Sequence, residues 1–267
     1  MTLHIYPHIR NHAFYQVYAL IFLFLLILYP AILQAADNGS SAVQVHAVHA
    51  EDSSPNPDKV TESWHPPHVV KVWTTSHKGR IFRVTQLPRC EHLEMKIAYT
   101  PQGETVKQAQ RRLGGVAAMS GSFHHPQTYS LADFLQRNGS VLSAARTGRH
   151  YLAANTDGSL SISGDYTSIK GKPDISALAL GQRLVPLRRD GFSLAFMNKV
   201  TDRMAVGMNN NFLFIVQGKS DIWKLAHFME HKLPVNVAVN SDGGHVVRGV
   251  APVHVVFRWK ISESILL

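Results

Sequence analysis

The sequence predicts an α+β fold: a mixed, largely antiparallel sheet with a few packed helices, forming a single domain after an N-terminal signal or anchor. Two observations support it. Short apolar, β-branched runs recur between turn residues, and only two stretches combine helical spacing with helix start and stop signals. The composition agrees, because 45% hydrophobic and 17% charged residues in a chain of 267 exclude a wholly disordered protein.

The predicted strands are short and are bounded by turn signals. In chain order they occupy residues 69–75, 80–85, 94–99, 116–119, 150–155, 159–163, 203–208, 212–217 and 235–240. The Asp157-Gly158 pair is a strong hairpin signal, and Asn209 to Asn211 predict a second hairpin. This sequence of short strands favours antiparallel pairing.

Two helices are predicted from caps and apolar spacing. The first runs over 105–113, with Thr105 as its cap and two glycines at its end. The second runs over 221–232, with Ser220 as its cap and Asp221 at its positive start. Its apolar residues fall on one stripe, which predicts packing against the sheet.

The N-terminal 36 residues predict export. Residues 17–29 are apolar and uncharged, and Arg10 is the only lysine or arginine before position 59. This is the pattern of a secretory signal, although residues 17–33 approach the length of a membrane span. A cleaved signal and an uncleaved inner-membrane anchor both remain open. In either case the positive-inside rule predicts that the rest of the chain is exported, to the periplasm or the cell exterior.

The exported part is predicted to be a flexible tether over 37–68 followed by a folded domain over 69–267. Without the first 36 residues the net charge falls only from +9 to +8, which favours an anionic partner. Export makes nucleic acid an improbable partner and favours envelope polymers. The tether histidines lack the spacing of a metal site, so no metal is predicted and a cofactor remains unknown. A single cysteine, Cys90, excludes an intrachain disulfide.

Three segments combine a strand with residues that can carry chemistry. Residues 236–244 run from a strand into Asn240-Ser241-Asp242-Gly243-Gly244, which puts a carboxylate and two glycines where a ligand can approach the backbone. Residues 119–126 place small residues and two histidines after a strand. Residues 202–207 put an arginine into an apolar strand, and a guanidinium can bind a phosphodiester.

In this order and spacing the three segments resemble the phosphodiester glycosidase family, over about residues 69–257. The family pattern is Asn-Gly-Gly-Phe-Phe, then Arg before Ala-Ile-Gly, then Asn-Leu-Asp-Gly-Gly. This sequence has Ser120-Gly121-Ser122-Phe123, Arg203-Met204-Ala205-Val206-Gly207 and Asn240-Ser241-Asp242-Gly243-Gly244. It departs from the family where Ser120 replaces an asparagine and where His245-Val246-Val247 replace small hydroxylated residues.

The resemblance implies an exported hydrolase of a sugar-1-phosphodiester bond in an envelope glycan or exopolysaccharide. It implies catalytic roles for Asp242 at the anomeric carbon, Arg203 as phosphate clamp and His125 as proton donor or phosphate ligand. The substrate-binding residues that it implies are Ser120, Gly121, His124, Ser220, Asn240, Gly243 and Gly244. The loop departures leave open an alternative, a catalytically impaired carbohydrate-binding or polysaccharide-assembly protein on the same fold.

Overall fold

The computed structural model describes residues 69–144, 149–155 and 157–260, all of which fall in one compact unit. The predicted signal or anchor over 1–36 and the predicted tether over 37–68 lie outside the described residues. Among the helices that the structure describes, none is long and apolar enough to cross a membrane.

Short strands make up about half of the described chain, and every strand pairing in it is antiparallel. The strands are β1 (Lys71–His77), β2 (Arg80–Pro88), β3 (Leu93–Thr105), β4 (Ala117–Ser120), β5 (Leu135–Arg137), β6 (Ser140–Ser143), β7 (His150–Ala154), β8 (Leu160–Ser163), β9 (Ser176–Leu180), β10 (Arg183–Val185), β11 (Thr201–Met208), β12 (Phe212–Ser220), β13 (Val237–Asn240) and β14 (Val250–Trp259). The helices are α1 (Val106–Arg112), α2 (Leu194–Asn198) and α3 (Ile222–Lys232), and a 3₁₀ turn spans Gly244–Val247. The predicted sheet-rich, largely antiparallel character is therefore confirmed.

The strands form three sheets around two main cores. The six-stranded sheet has the order β1-β2-β12-β11-β13-β10, and the others are β3-β14-β4 and β6-β5-β9-β7-β8. Alternate residues of β11 and β12 face opposite sides, as strand geometry requires. Met204, Val206 and Ile215 join the core shared with the other two sheets, whereas Ala205 and Phe214 pack against α2 and α3. The two sides of β11 thus lie in different environments.

Both predicted helices form, and one of the two predicted caps is correct. Thr105 caps α1 and completes a capping box with Gln108, as the Thr-x-x-Gln spacing favours. The cap of α3 is Asp221, whose carboxylate accepts from the Lys224 amide at 2.8 Å. Ser220 instead ends β12, and its hydroxyl donates to the Asp221 carbonyl at 2.8 Å. The prediction of Ser220 as the cap was wrong by one residue.

The structure also contains elements that the sequence pattern did not reveal. Strands β5, β6, β9 and β10 are only three to five residues long and lack a clear alternation. The ten-residue β14 is the central strand of its sheet and is apolar on both faces, so it shows no period of two. It pairs with β4 and holds the start of the loop that carries the two predicted site histidines.

Candidate functional site

The ends of β4 and β13 meet, although they are 120 residues apart in the chain. Ser241 donates its amide to the Met204 carbonyl at 2.9 Å, which continues the ladder between β13 and β11. The Asp242 amide then donates to the Gly121 carbonyl at 3.2 Å, and the hydroxyls of Ser120 and Ser241 lie 2.9 Å apart. All three predicted segments therefore meet at one site, the third through the backbone of residues 202–204.

A carboxylate and a buried imidazole form the centre of this site. Oδ2 of Asp242 lies 3.2 Å from Nδ1 of His124, at an angle outside that of a good hydrogen bond. The His124 side chain is 1% exposed and the Asp242 side chain is 16% exposed. The carboxylate can therefore contact a ligand, whereas the imidazole behind it is placed to hold the carboxylate in position.

The glycines around Asp242 are required by packing and backbone conformation. A Cβ at Gly243 would lie 2.8 Å from the Asp202 carbonyl oxygen, so no side chain fits between this turn and β11. Gly244 has a φ of +68°, which side chains disfavour. At Gly121 a Cβ would lie 2.8 Å from the Val253 carbonyl oxygen. All three glycines allow the close approach that places Asp242.

Arg203 lies beneath the same turn, but its guanidinium is used elsewhere. Its Cδ would be 3.7 Å from a Cβ at Gly243, so its stem packs under the turn. The guanidinium donates to the carbonyls of Phe196 at 2.9 Å, Lys199 at 2.8 Å and Ser220 at 3.4 Å. Burial lowers the pKa of Arg203, and the Asp221 carboxylate opposes that shift.

These contacts give the buried Arg203 a structural role, because its guanidinium binds the carbonyls at the end of α2. None of its described hydrogen bonds reaches Asp242, and the residue is only 3% exposed. The phosphate-clamp role stays a prediction, and the geometry gives it no support.

The other predicted site residues divide between the site and the surrounding framework. The Ser120 hydroxyl is fully buried and contacts the Asp242 carbonyl, and Ser220 is fully buried below Asp221, so both serve the framework. Asn240 is 1% exposed, and its Nδ2 donates to the Ser241 carbonyl at 3.0 Å. His125 is exposed, and the structure records no contact between its side chain and Asp242.

Four of the eight buried side-chain polar atoms that lack a hydrogen-bond partner in the described residues lie on the segments that form the site. Among the described residues, Ser122 Oγ, Asn240 Oδ1 and both ring nitrogens of His124 are excluded from solvent and have no such partner. Native proteins satisfy most buried polar groups, and the exceptions often mark functional positions. This cluster therefore supports the assignment of the site independently of the sequence motifs.

Three further residues belong to the site's surroundings, and sequence reasoning did not propose them. The rings of Tyr129 and His245 lie 5.8 and 6.4 Å from the His124 ring. The Arg149 guanidinium lies 5.6 Å from the Phe123 ring centre, and its Nε donates to Asp133 at 2.6 Å. These residues come from loops and from a strand edge, where the sequence shows no periodicity that could have revealed them.

A second buried histidine lies next to the site on β14. His254 is fully buried opposite Ser120, and its Nε2 donates to the Glu104 carbonyl at 2.7 Å. Burial, with a smaller contribution from His124, lowers the pKa of His254 below its ordinary value of 6.5. The imidazole is therefore neutral in the folded protein at neutral pH.

This burial predicts acid-sensitive stability. Below about pH 6.5 the unfolded chain binds a proton at position 254 that the folded chain does not, so the free energy of unfolding falls as the pH falls. The variant His254→Gln keeps an N–H donor and loses the titration. We expect it to lose about 1 kcal/mol less than wild type between pH 7.5 and 5.5 in urea unfolding. The exposed His231→Gln serves as control, and identical pH profiles for the two variants would contradict the prediction.

The described residues contain no group of three or more metal-ligating side chains arranged for a metal ion. This statement does not extend to the histidines of residues 37–68, which lie outside the described part of the chain.

Taken together, these features define a sheet-rich, antiparallel protein with a carboxylate–imidazole pair where two strands end. No family model matches the chain, and no curated protein matches it in sequence. Its fold, however, is shared with solved structures of low sequence identity.

The first of these is the catalytic domain of zebrafish N-acetylglucosamine-1-phosphodiester alpha-N-acetylglucosaminidase, auto-inhibited by its pro-peptide. It is 14% identical, with a TM-score of 0.57 over 74% of this chain and 86% of that one. A hypothetical protein from Synechocystis has 10% identity and a TM-score of 0.55, over 72% of this chain and 62% of that one. A candidate exported protein from Burkholderia pseudomallei K96243 has 12% identity and a TM-score of 0.50, over 67% and 74%. These likenesses show a common fold.

Proposed function

We propose that this chain is an exported hydrolase that releases a sugar from a sugar-1-phosphodiester, with Asp242 as the carboxylate at the anomeric carbon. The observation that carries the proposal is the pair of a partly exposed Asp242 and a buried His124, 3.2 Å apart, at converging strand ends. The fold is shared with a domain whose name states this chemistry, which supports the choice of substrate class.

The reaction breaks the bond between the anomeric carbon and a phosphate oxygen. Water supplies the new hydroxyl of the sugar, its remaining proton passes to solvent, and the phosphate leaves as a monoester. Positive charge develops on the sugar ring in the transition state, and a carboxylate at the position of Asp242 stabilises that charge. Because a phosphate is a weak base, its departure needs little help from a general acid.

The surrounding residues have supporting roles in this proposal. His124 is a positioning residue, since its buried ring contacts the carboxylate and not the solvent. Asn240 and Ser122 bring unpartnered buried polar atoms that suit the binding of polar ligand groups. Arg149 packs on Phe123 and pairs with Asp133 at 2.6 Å, but its side chain is 18% exposed, which makes it a more accessible candidate for the phosphate-binding cation than Arg203.

Export of the domain is part of the proposal. It is supported by the uncharged apolar run over 17–29 and by the structural neighbour named as a candidate exported protein. The partner would then be an envelope glycan or exopolysaccharide that carries sugar phosphodiesters.

The test is release of free sugar from a panel of methyl phosphodiesters of α-linked sugar 1-phosphates. The panel varies the sugar, and each compound is paired with the matching methyl glycoside, which lacks the phosphate. We expect turnover of at least one phosphodiester and no turnover of its glycoside. Tight binding of the compounds without release of sugar from any of them would contradict the proposal and would favour the carbohydrate-binding alternative.

A further inference from the structure

A long groove crosses the face of the six-stranded sheet that points away from α3. Its first section has a volume of about 570 Å³ and lies between β2, β12 and α1. Its second section, of about 490 Å³, extends along the turn between β1 and β2 and the end of β12. Both sections are lined by Arg83, Gln217 and Arg248, so they adjoin, and we call the two together the basic groove.

The lining of the basic groove is strongly cationic. Five basic side chains line it and only one acidic side chain does: Arg80, Arg83, Lys107, Lys219 and Arg248 against Asp202. Asp202 lies 3.5 Å from Arg248. Within the part of the chain that the structure describes, Arg83, Lys107 and Lys219 form no ion pair with a carboxylate. Unpaired positive charges that converge on one groove attract an anionic ligand.

The sheet register spaces these charges along the groove. Arg83 is paired with Thr74 and with Gln217, and Lys219 is two residues further along β12. Arg83 and Lys219 are therefore diagonal neighbours on one face, a separation of about 7–8 Å between Cα atoms. Successive charges at this spacing suit a ligand that itself carries repeated negative charges, rather than a single small anion.

The neutral lining favours a glycan over a nucleic acid. Thr74, Thr85 and Gln217 present hydroxyl and amide groups between the charges, and these groups suit sugar hydroxyls. The described lining contains no aromatic side chain, whereas proteins that bind single-stranded nucleic acid stack bases on aromatic rings. We propose that the basic groove binds an extended anionic glycan, independently of the hydrolysis proposed at Asp242.

The groove and the candidate site are linked by a short stretch of chain. The 3₁₀ turn Gly244–Val247 leads from the Asp242 turn to Arg248 in the groove. An anionic glycan held in the groove would therefore be kept near Asp242. Binding in the groove and turnover at Asp242 can nevertheless be measured separately.

The test uses the full chain purified in a polyoxyethylene detergent, with fluorescently labelled polyuronate as the probe and polarisation as the readout. The double variant Arg83→Gln/Lys219→Gln removes two groove charges. We expect it to raise Kd at low salt by about tenfold or more, and added salt to weaken wild-type binding. The control Lys172→Gln/Lys232→Gln makes the same change of net charge at exposed positions outside the groove lining. We expect it to change Kd less than about twofold.

Three results would overturn the proposal: equal losses in the two double variants, equally tight binding of neutral dextran, or equally tight binding of single-stranded poly(dT). Turnover of the small methyl phosphodiester is expected to be the same in the groove variant as in wild type. If no variant turns over that substrate while polyuronate binding still depends on Arg83 and Lys219, hydrolysis fails and the groove proposal stands.

Discussion

Replacing Asp242 by asparagine is expected to abolish sugar release while the protein stays folded. The amide has nearly the same shape as the carboxylate but carries no negative charge, so it cannot stabilise an oxocarbenium-like transition state. We expect kcat to fall by about 10²- to 10³-fold, the size of effect found when a key electrostatic group is removed. The measurement is kcat and KM for the best phosphodiester of the panel, with thermal unfolding followed in parallel.

The matched control for this variant is Asp174→Asn. Asp174 is exposed, and its φ of +63° suits asparagine as well as aspartate, so the substitution makes the same change of charge without strain. We expect it to leave kcat unchanged. If Asp242→Asn retained wild-type kcat with an intact fold, Asp242 could not be the carboxylate at the anomeric carbon.

Local sequence signals predicted the tight turns, the hairpins and the cap of α1, although they placed the cap of α3 one residue too early. Thr105 caps its helix because a hydroxyl and a glutamine three residues later satisfy the first amides of the helix. The hairpin at Asn209 to Asn211 forms because the Asn209 side chain accepts from the amides of Asn211 and Phe212, both at 2.8 Å. Such features depend on residues that are near in sequence, so the sequence predicts them.

The arrangement of the site depended on contacts that local patterns do not specify. Asp242 and His124 were both predicted as site residues, but their pairing at 3.2 Å follows from the contact between the ends of β4 and β13, which belong to different sheets. The Arg203 guanidinium binds carbonyls at the end of α2, a five-residue helix that the sequence pattern did not reveal. An arginine in an apolar strand is equally compatible with phosphate binding and with capping a neighbouring helix, and the local pattern does not distinguish the two roles.

Arg203 is expected to be a large determinant of stability, and its substitution separates the two roles considered for it. In Arg203→Met the carbonyls of Phe196 and Lys199 lose a charged donor inside the protein. Leaving such groups unpaired costs about 2–4 kcal/mol in the free energy of unfolding. We expect the free energy of unfolding from a urea titration to fall by that amount, with KM for the phosphodiester unchanged at a temperature where the variant is folded.

The exposed Arg248→Met provides the control, because its side chain is 76% exposed and its contact with Asp202 is at the surface. We expect it to change the free energy of unfolding by less than about 0.5 kcal/mol, as exposed ion pairs contribute little. If Arg203→Met instead kept wild-type stability and raised KM tenfold or more, the result would support the phosphate-clamp role.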